Sequence, residues 1–112
     1  PLAGGLFTGK YRRGQAPPPD SRAAKQGPRF AERWFTDANF DLAEAMEEIA
    51  REAGVTLAQL TLAWVMARPG VTAAIVGASR PEQVLQNVSA CDVALPQEVM
   101  DRVTQLSDPF VR

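Results

Sequence analysis

The sequence contains no histidine and only one cysteine, Cys91, in 112 residues. Without histidine there is no imidazole base and no imidazole metal ligand. A single thiol supports neither an internal disulfide nor a thiolate zinc site. Cys91 is expected to pack as a small apolar residue, and a reducing cytoplasmic setting fits such sparse cysteine use. Tyrosine is equally scarce. Tyr11 is the only one, it has no obvious base partner, and no catalytic role is assigned to it. No apolar run approaches the roughly 20 residues of a membrane span, so membrane insertion is not expected.

What is present is ordinary for one globular domain, with 46% hydrophobic and 22% charged residues. The charge, however, is unevenly spread. Seven basic residues lie between Lys10 and Arg33 against Asp20 and Glu32, whereas from Asp37 onward eleven acids face five arginines. Either the first segment meets something anionic or it is a solvated loop. Pro1 stands where an initiator methionine would be, and "PLAGGLF" reads as the tail of a strand running into a glycine turn. A preceding segment is therefore expected.

Residues 10–36, with three consecutive prolines and many charges, read as a long basic loop, in which "FAERWF" forms a short helical turn. Leu42, Met46, Ile49, Ala50 and Ala53 then mark an amphipathic helix, stopped by Gly54. Asp41, Glu44, Glu47 and Glu48 are expected on its wet face. Thr56 and Gln59 form a capping box for a second helix through Leu60, Ala63, Trp64 and Ala67. Trp34 and Trp64 are expected to be packing residues. "VTAAIVG", Val71 to Gly77, is uncharged and β-branched, as a strand covered on both faces would be. A second capping box, Ser79 with Glu82, opens a helix whose inner face is Val84, Leu85 and Val88. A last helix starts near Pro96. This order predicts a βα-type fold with parallel strands, and two such strands alone would leave open edges needing further strands.

Two turns are candidate sites. Gly77–Ala78–Ser79–Arg80 follows the carboxyl end of the expected strand and opens a helix, the place where α/β folds bind ligands and where free amides suit a phosphate. Ser79 as a plain N-cap explains the same residues. "PLAGGLFTGK" has adjacent glycines that permit close backbone approach, but it matches neither the dinucleotide fingerprint nor the phosphate loop.

Taken together, "PLAGGLFTGKY", "SR" after the prolines and "GVTLAQLTLAWVMARPGVTAAIVGASRPEQVLQN" resemble the C-terminal third of aldo-keto reductases. The resemblance is closest to the branch holding bacterial general reductases and β subunits of voltage-gated potassium channels. It implies an α/β fold, the C-terminal portion of a (β/α)8 TIM barrel comprising the end of strand seven, strand eight and the flanking and terminal helices. Residues 1–112 would then be one segment of a single barrel domain whose N-terminal part lies elsewhere. It also implies NADP(H) as cofactor and a small carbonyl substrate, with no nucleic-acid partner. Pro1, Leu2, Ala3 and Gly4 would lie along the nicotinamide ribose and pyrophosphate, with Lys10 on phosphate. Arg22 would meet the adenosine 2′-phosphate, Gly77 and Ser79 would complete that site, and Gln83, Gln86 and Asn87 would frame the adenine. With this resemblance phosphate binding at Ser79 takes precedence over capping, and the two are compatible. The family's catalytic residues sit on earlier strands, so none is assigned here. The implied function is cofactor binding within a reductase of aldehydes or ketones, or, alternatively, a nucleotide-binding regulatory subunit with little turnover.

Overall fold

The computed structural model describes residues 1–110. Six α-helices follow a short 3-10 segment, Ala3–Thr8: α1 (Arg22–Gln26), α2 (Pro28–Trp34), α3 (Asp37–Ala53), α4 (Leu57–Met66), α5 (Pro81–Ser89) and α6 (Gln97–Ser107). Single 3-10 turns, Ala90–Asp92 and Asp108–Phe110, follow α5 and α6.

The helices expected from periodicity form where their local signals place them. Thr36 caps α3 by accepting the Asn39 amide. Gly54 ends that helix in the left-handed conformation, and its N–H is donated back to the carbonyls of Ala50 and Arg51. The Thr56–Gln59 box closes in both directions at the start of α4, with bonds of 3.1 and 3.0 Å. Each such cap satisfies amides that the first helical turn leaves without partners, and each is worth about 1 kcal/mol.

Packing produces two clusters. In the first, Leu42, Met46, Ile49 and Ala50 of α3 meet Leu57 and Leu60 of α4 and Val103 of α6. Leu60 and Val103 are fully buried, and each such side chain contributes about 1.5–3 kcal/mol through removal from water. Trp64 packs against this cluster and donates its indole N–H to Thr104 at 2.9 Å. The second cluster joins Leu6, Tyr11, Ala23, Phe30, Phe40 and Ala43, flanked by Trp34 and Phe35. Its rings meet edge-on or tilted, with centroids 5.0–5.7 Å apart for Tyr11–Phe35, Phe30–Phe35 and Tyr11–Phe30. Phe7 touches both clusters.

Several expectations are corrected. Neither expected strand forms among the described residues: Val71 to Gly77 is neither helical nor paired, and the opening residues coil into the 3-10 segment. A strand is held by hydrogen bonds to a neighbour, and none of these elements offers that edge. The partly closed barrel is therefore not visible in this segment. The expected inner face of α5 is turned outward, with Val84, Leu85 and Val88 exposed, and Ile75 is 88% exposed. The helix is tied to α4 on its other side, where Gln59 donates to Ser89 at 2.9 Å. Cys91 is exposed rather than packed. Within the expected loop, α1 and α2 form because Ser21 caps the first, accepting the Ala24 amide, and Pro28 occupies the first turn of the second.

Candidate functional site

The glycine turn at the start of the chain is built around backbone conformations that side chains resist. Gly4 and Gly5 have φ of 67° and 103°, and Ala3 joins them in the left-handed region at 48°. For alanine that conformation costs about 1–2 kcal/mol. The strain sits among the residues that the family resemblance would place along a ligand. A Cβ at Gly4 would come within 2.8 Å of the Phe30 ring, so the turn lies directly on α2. A Cβ at Gly5 would lie 2.6 Å from Lys10 Cε and 2.9 Å from its Nζ. The missing side chain is thus what lets Lys10 lie across the turn. Its ammonium also sits 5.3 Å from the centre of the Tyr11 ring.

Tyr11 continues the connection. Its ring is buried, and its hydroxyl oxygen accepts the Ala23 amide N–H at 3.2 Å. Ala23 follows Arg22, so the phenol fixes the backbone next to that arginine. Arg22 itself is exposed and reaches toward the second turn: a Cβ on Gly77 would lie 4.0 Å from Arg22 Nη2. A series of neighbours therefore runs from the first glycine turn through Lys10 and Tyr11 to the Ala23 amide, and the adjoining Arg22 side chain lies near Gly77. Two residues fifty-five positions apart, Arg22 and Gly77, become neighbours.

At the second turn the expected Ser79–Glu82 capping box is replaced. Helix α5 begins at Pro81, and Arg80 is its N-cap, extended at φ −137° and ψ 149°. Proline favours the first helical position and forces the residue before it out of the helical region, which moves the cap by one residue from Ser79. Gln83 takes the role expected of Glu82. Its side-chain oxygen accepts the Ser79 amide at 2.7 Å, the Ser79 hydroxyl at 3.2 Å and the Arg80 amide at 3.3 Å. Three donors converging on one oxygen form an acceptor-binding nest of the kind that suits a phosphate oxygen. In this structure the Gln83 carboxamide fills it. Gln86 is exposed and Asn87 half-buried on the same helix, while Pro1 is exposed and Leu2 half-buried beside the first turn.

The basic segment has a partner that local patterns did not reveal. Arg12 makes two bonds to Glu47, 2.6 and 3.0 Å long. Arg13 reaches Asp37 at 2.9 Å, Asp41 at 2.5 Å and Glu44 at 3.4 Å. The acids read as the wet face of α3 are, for the most part, the binding surface for two arginines of the same chain. The hydrogen bond from Arg12 holds the Glu47 carboxyl below its ordinary value and raises Arg12 in return. Periodicity shows which face of α3 is polar, but only the tertiary approach of a segment more than twenty residues away shows what covers it. Lys10, Arg22, Lys25, Arg29 and Arg33 form no ion pair among the described residues.

A groove of about 510 Å³, lined in part by Ile49, Val55, Leu95, Val99 and Arg102, lies between α3 and α6 and shares no residue with these turns. No cluster of metal-ligating side chains occurs among the described residues. None of the described helices is long and apolar enough to cross a membrane.

Comparison with known proteins gives a consistent result. The model of the Aldo/keto reductase family matches residues 1–108. A "Probable voltage-gated potassium channel subunit beta" of Arabidopsis thaliana is 41% identical over 109 residues, covering 95% of this chain and 33% of the relative. Its counterpart of the same name in Oryza sativa subsp. japonica is 37% identical over 105 residues, covering 92% and 32%. An "L-glyceraldehyde 3-phosphate reductase" of Escherichia coli (strain K12) is 39% identical over 93 residues, covering 80% and 26%. The chain thus spans a third or less of the length of these relatives.

Proposed function

This chain belongs to the aldo/keto reductase family, and on that premise we propose that it is the NADP(H)-binding C-terminal part of an oxidoreductase that reduces aldehydes or ketones to alcohols. The observation that supports the reading is that Lys10 lies across the first glycine turn and Arg22 lies near Gly77 of the second, with both cations free of carboxylate partners among the described residues. Unpaired cations beside glycines that allow backbone approach fit a dinucleotide, which carries a pyrophosphate and, in its phosphorylated form, one further phosphate. Pro1, Leu2, Ala3 and Gly4 would line the nicotinamide ribose and pyrophosphate, and Lys10 would neutralise phosphate. Arg22 would take the 2′-phosphate beside Gly77 and Ser79. Gln83, Gln86 and Asn87 would face the adenine, with Gln83 giving up its hold on the Ser79 donors when phosphate arrives.

When bound, the cofactor supplies hydride to the carbonyl carbon. The residues of this chain bind and orient it. No residue of this chain is assigned as the proton donor for the carbonyl oxygen: Tyr11, the only tyrosine, is buried at 5% exposure, with its hydroxyl oxygen turned to the Ala23 amide. That donor would come from the part of a (β/α)8 barrel outside this chain, which would also give Val71 to Gly77 and the outward face of α5 the sheet neighbours they lack here. A cytoplasmic location suits the cofactor.

The test is the equilibrium binding of NADPH and NADH to the protein, followed by nicotinamide fluorescence. NADPH is expected to bind more tightly. The change Arg22→Ala should weaken NADPH by roughly ten- to a hundredfold, the worth of one charge-assisted hydrogen bond, and leave NADH nearly unchanged. Equal affinity for the two nucleotides would refute the assignment. A second reading, a nucleotide-binding regulatory subunit, draws on the similarity to the two plant channel β subunits. Rapid turnover of a model aldehyde by a protein of the relatives' length would exclude it.

A further inference from the structure

We infer that residues 11–13 act as a brace that sets the positions of Lys10 and Arg22 relative to each other, so that selectivity for the 2′-phosphate depends on contacts made away from the nucleotide. This inference rests on the NADP(H) reading of the site.

Three consecutive side chains leave the backbone toward two different supports. Tyr11 turns inward, where its ring packs against Phe30 and Phe35 and its hydroxyl holds the Ala23 amide at 3.2 Å. Arg12 and Arg13 turn to α3, one gripping Glu47 with both terminal nitrogens and the other spread over Asp37, Asp41 and Glu44. The support is firm, because α3 runs for 17 residues and buries six of them. Lys10 precedes the brace by one residue and rests over Gly5. Arg22 is one residue from the amide that Tyr11 holds. Between them the chain passes through Gly14 and the prolines at 17–19, a path that would not fix the spacing of its ends without a tie.

An exposed ion pair adds little to global stability, because water and salt screen it and the side chains lose freedom. Two arginines meeting four carboxylates of one helix face do something else, which is to hold a segment in one place. A bidentate arginine–carboxylate pair is directional as well as attractive. Small displacements matter at the far end, since a charge-assisted bond weakens steeply away from good geometry. Arg12 and Arg13 are thus positioning residues acting through the backbone of Tyr11 and Lys10.

The experiment measures dissociation constants for NADPH and NADH with the wild type, Arg12→Glu, Glu47→Arg and the double exchange Arg12→Glu/Glu47→Arg, with Tyr11→Phe as an independent probe of the inner contact. Each single charge reversal is expected to weaken NADPH roughly tenfold and to weaken NADH, which meets Lys10 but has no 2′-phosphate for Arg22, by a clearly smaller factor. The double exchange should recover most of the NADPH affinity. Tyr11→Phe should also lower the NADPH to NADH preference. A loss of fold or general binding would weaken both nucleotides alike, and that result would overturn the brace. So would single variants with unchanged NADPH affinity, or a double exchange that recovers nothing. If the wild type itself shows no preference for NADPH, the nucleotide assignment fails and the brace with it. If the wild type prefers NADPH and the variants keep that preference, the brace alone is refuted.

Discussion

Replacing Ile75 with aspartate separates what this chain does for itself from what a complete barrel would do. Ile75 is 88% exposed. Fully burying an isoleucine contributes about 1.5–3 kcal/mol, so the small covered fraction here is worth only about 0.2–0.4 kcal/mol by the same area rule. Ile75→Asp should therefore shift the urea unfolding free energy of the 112-residue chain by less than about 0.5 kcal/mol. In the complete barrel proposed above, Val71 to Gly77 would be a covered strand. The same change would then bury an unpaired carboxylate and cost several kcal/mol. The assay is urea unfolding followed by tryptophan fluorescence, at a concentration where the chain sediments as a monomer. A cost above about 1.5 kcal/mol in the isolated chain, half or more of a full burial, would refute the reasoning, because the residue could not then be as exposed as the structure has it.

Two further outcomes follow from the interior and from the ion pairs. Leu60→Ala, at a fully buried position between α3 and α6, should cost about 2–5 kcal/mol in the same urea assay, through lost transfer energy and the cavity left behind; a cost below about 1 kcal/mol would mean the cluster repacks freely. The Arg12–Glu47 pair has a defined pH signature. Glu47 titrates below its ordinary value of 4.5 because Arg12 bonds its charged form. Its contribution is therefore present above pH 4.5 and disappears as pH falls through the lower folded value. The stability difference between wild type and Glu47→Gln, at most about 1 kcal/mol for a pair this exposed, should be constant from neutral pH down to the carboxylate range and vanish below it. A difference that grows on acidification would contradict the pairing.

The helices α3, α4 and α6 were legible in the sequence because their signals are local. Leu42, Met46, Ile49 and Ala50 repeat with the helical period, Gly54 stops the first run, and Thr56 with Gln59 starts the next. The failures share one cause. Val71 to Gly77 has the composition of a strand, but a strand exists only beside another, and none of the described residues supplies that neighbour. Val84, Leu85 and Val88 have an amphipathic spacing that does not say whether anything will cover it. Ser79 lost its capping place to a proline effect that could have been read from Arg80–Pro81. The partners of Arg12, Arg13 and Tyr11 could not, since nothing in a local window links position 11 to 23 or position 12 to 47. At the candidate site, residue types and turns were readable, whereas the contacts that join the two turns depend on the folded chain.

The placement of the aromatic residues has a practical consequence. The single tyrosine lies at the joint between the two cations, Trp34 flanks the aromatic cluster beside it, and Trp64 flanks the helical cluster of α3, α4 and α6. The two tryptophans thus sample different clusters without any label, and the tyrosine shares the aromatic one with Trp34. Replacing either tryptophan with phenylalanine leaves the other to watch its own cluster, so the order in which the basic segment and the helical core come apart can be read optically from the protein's own side chains.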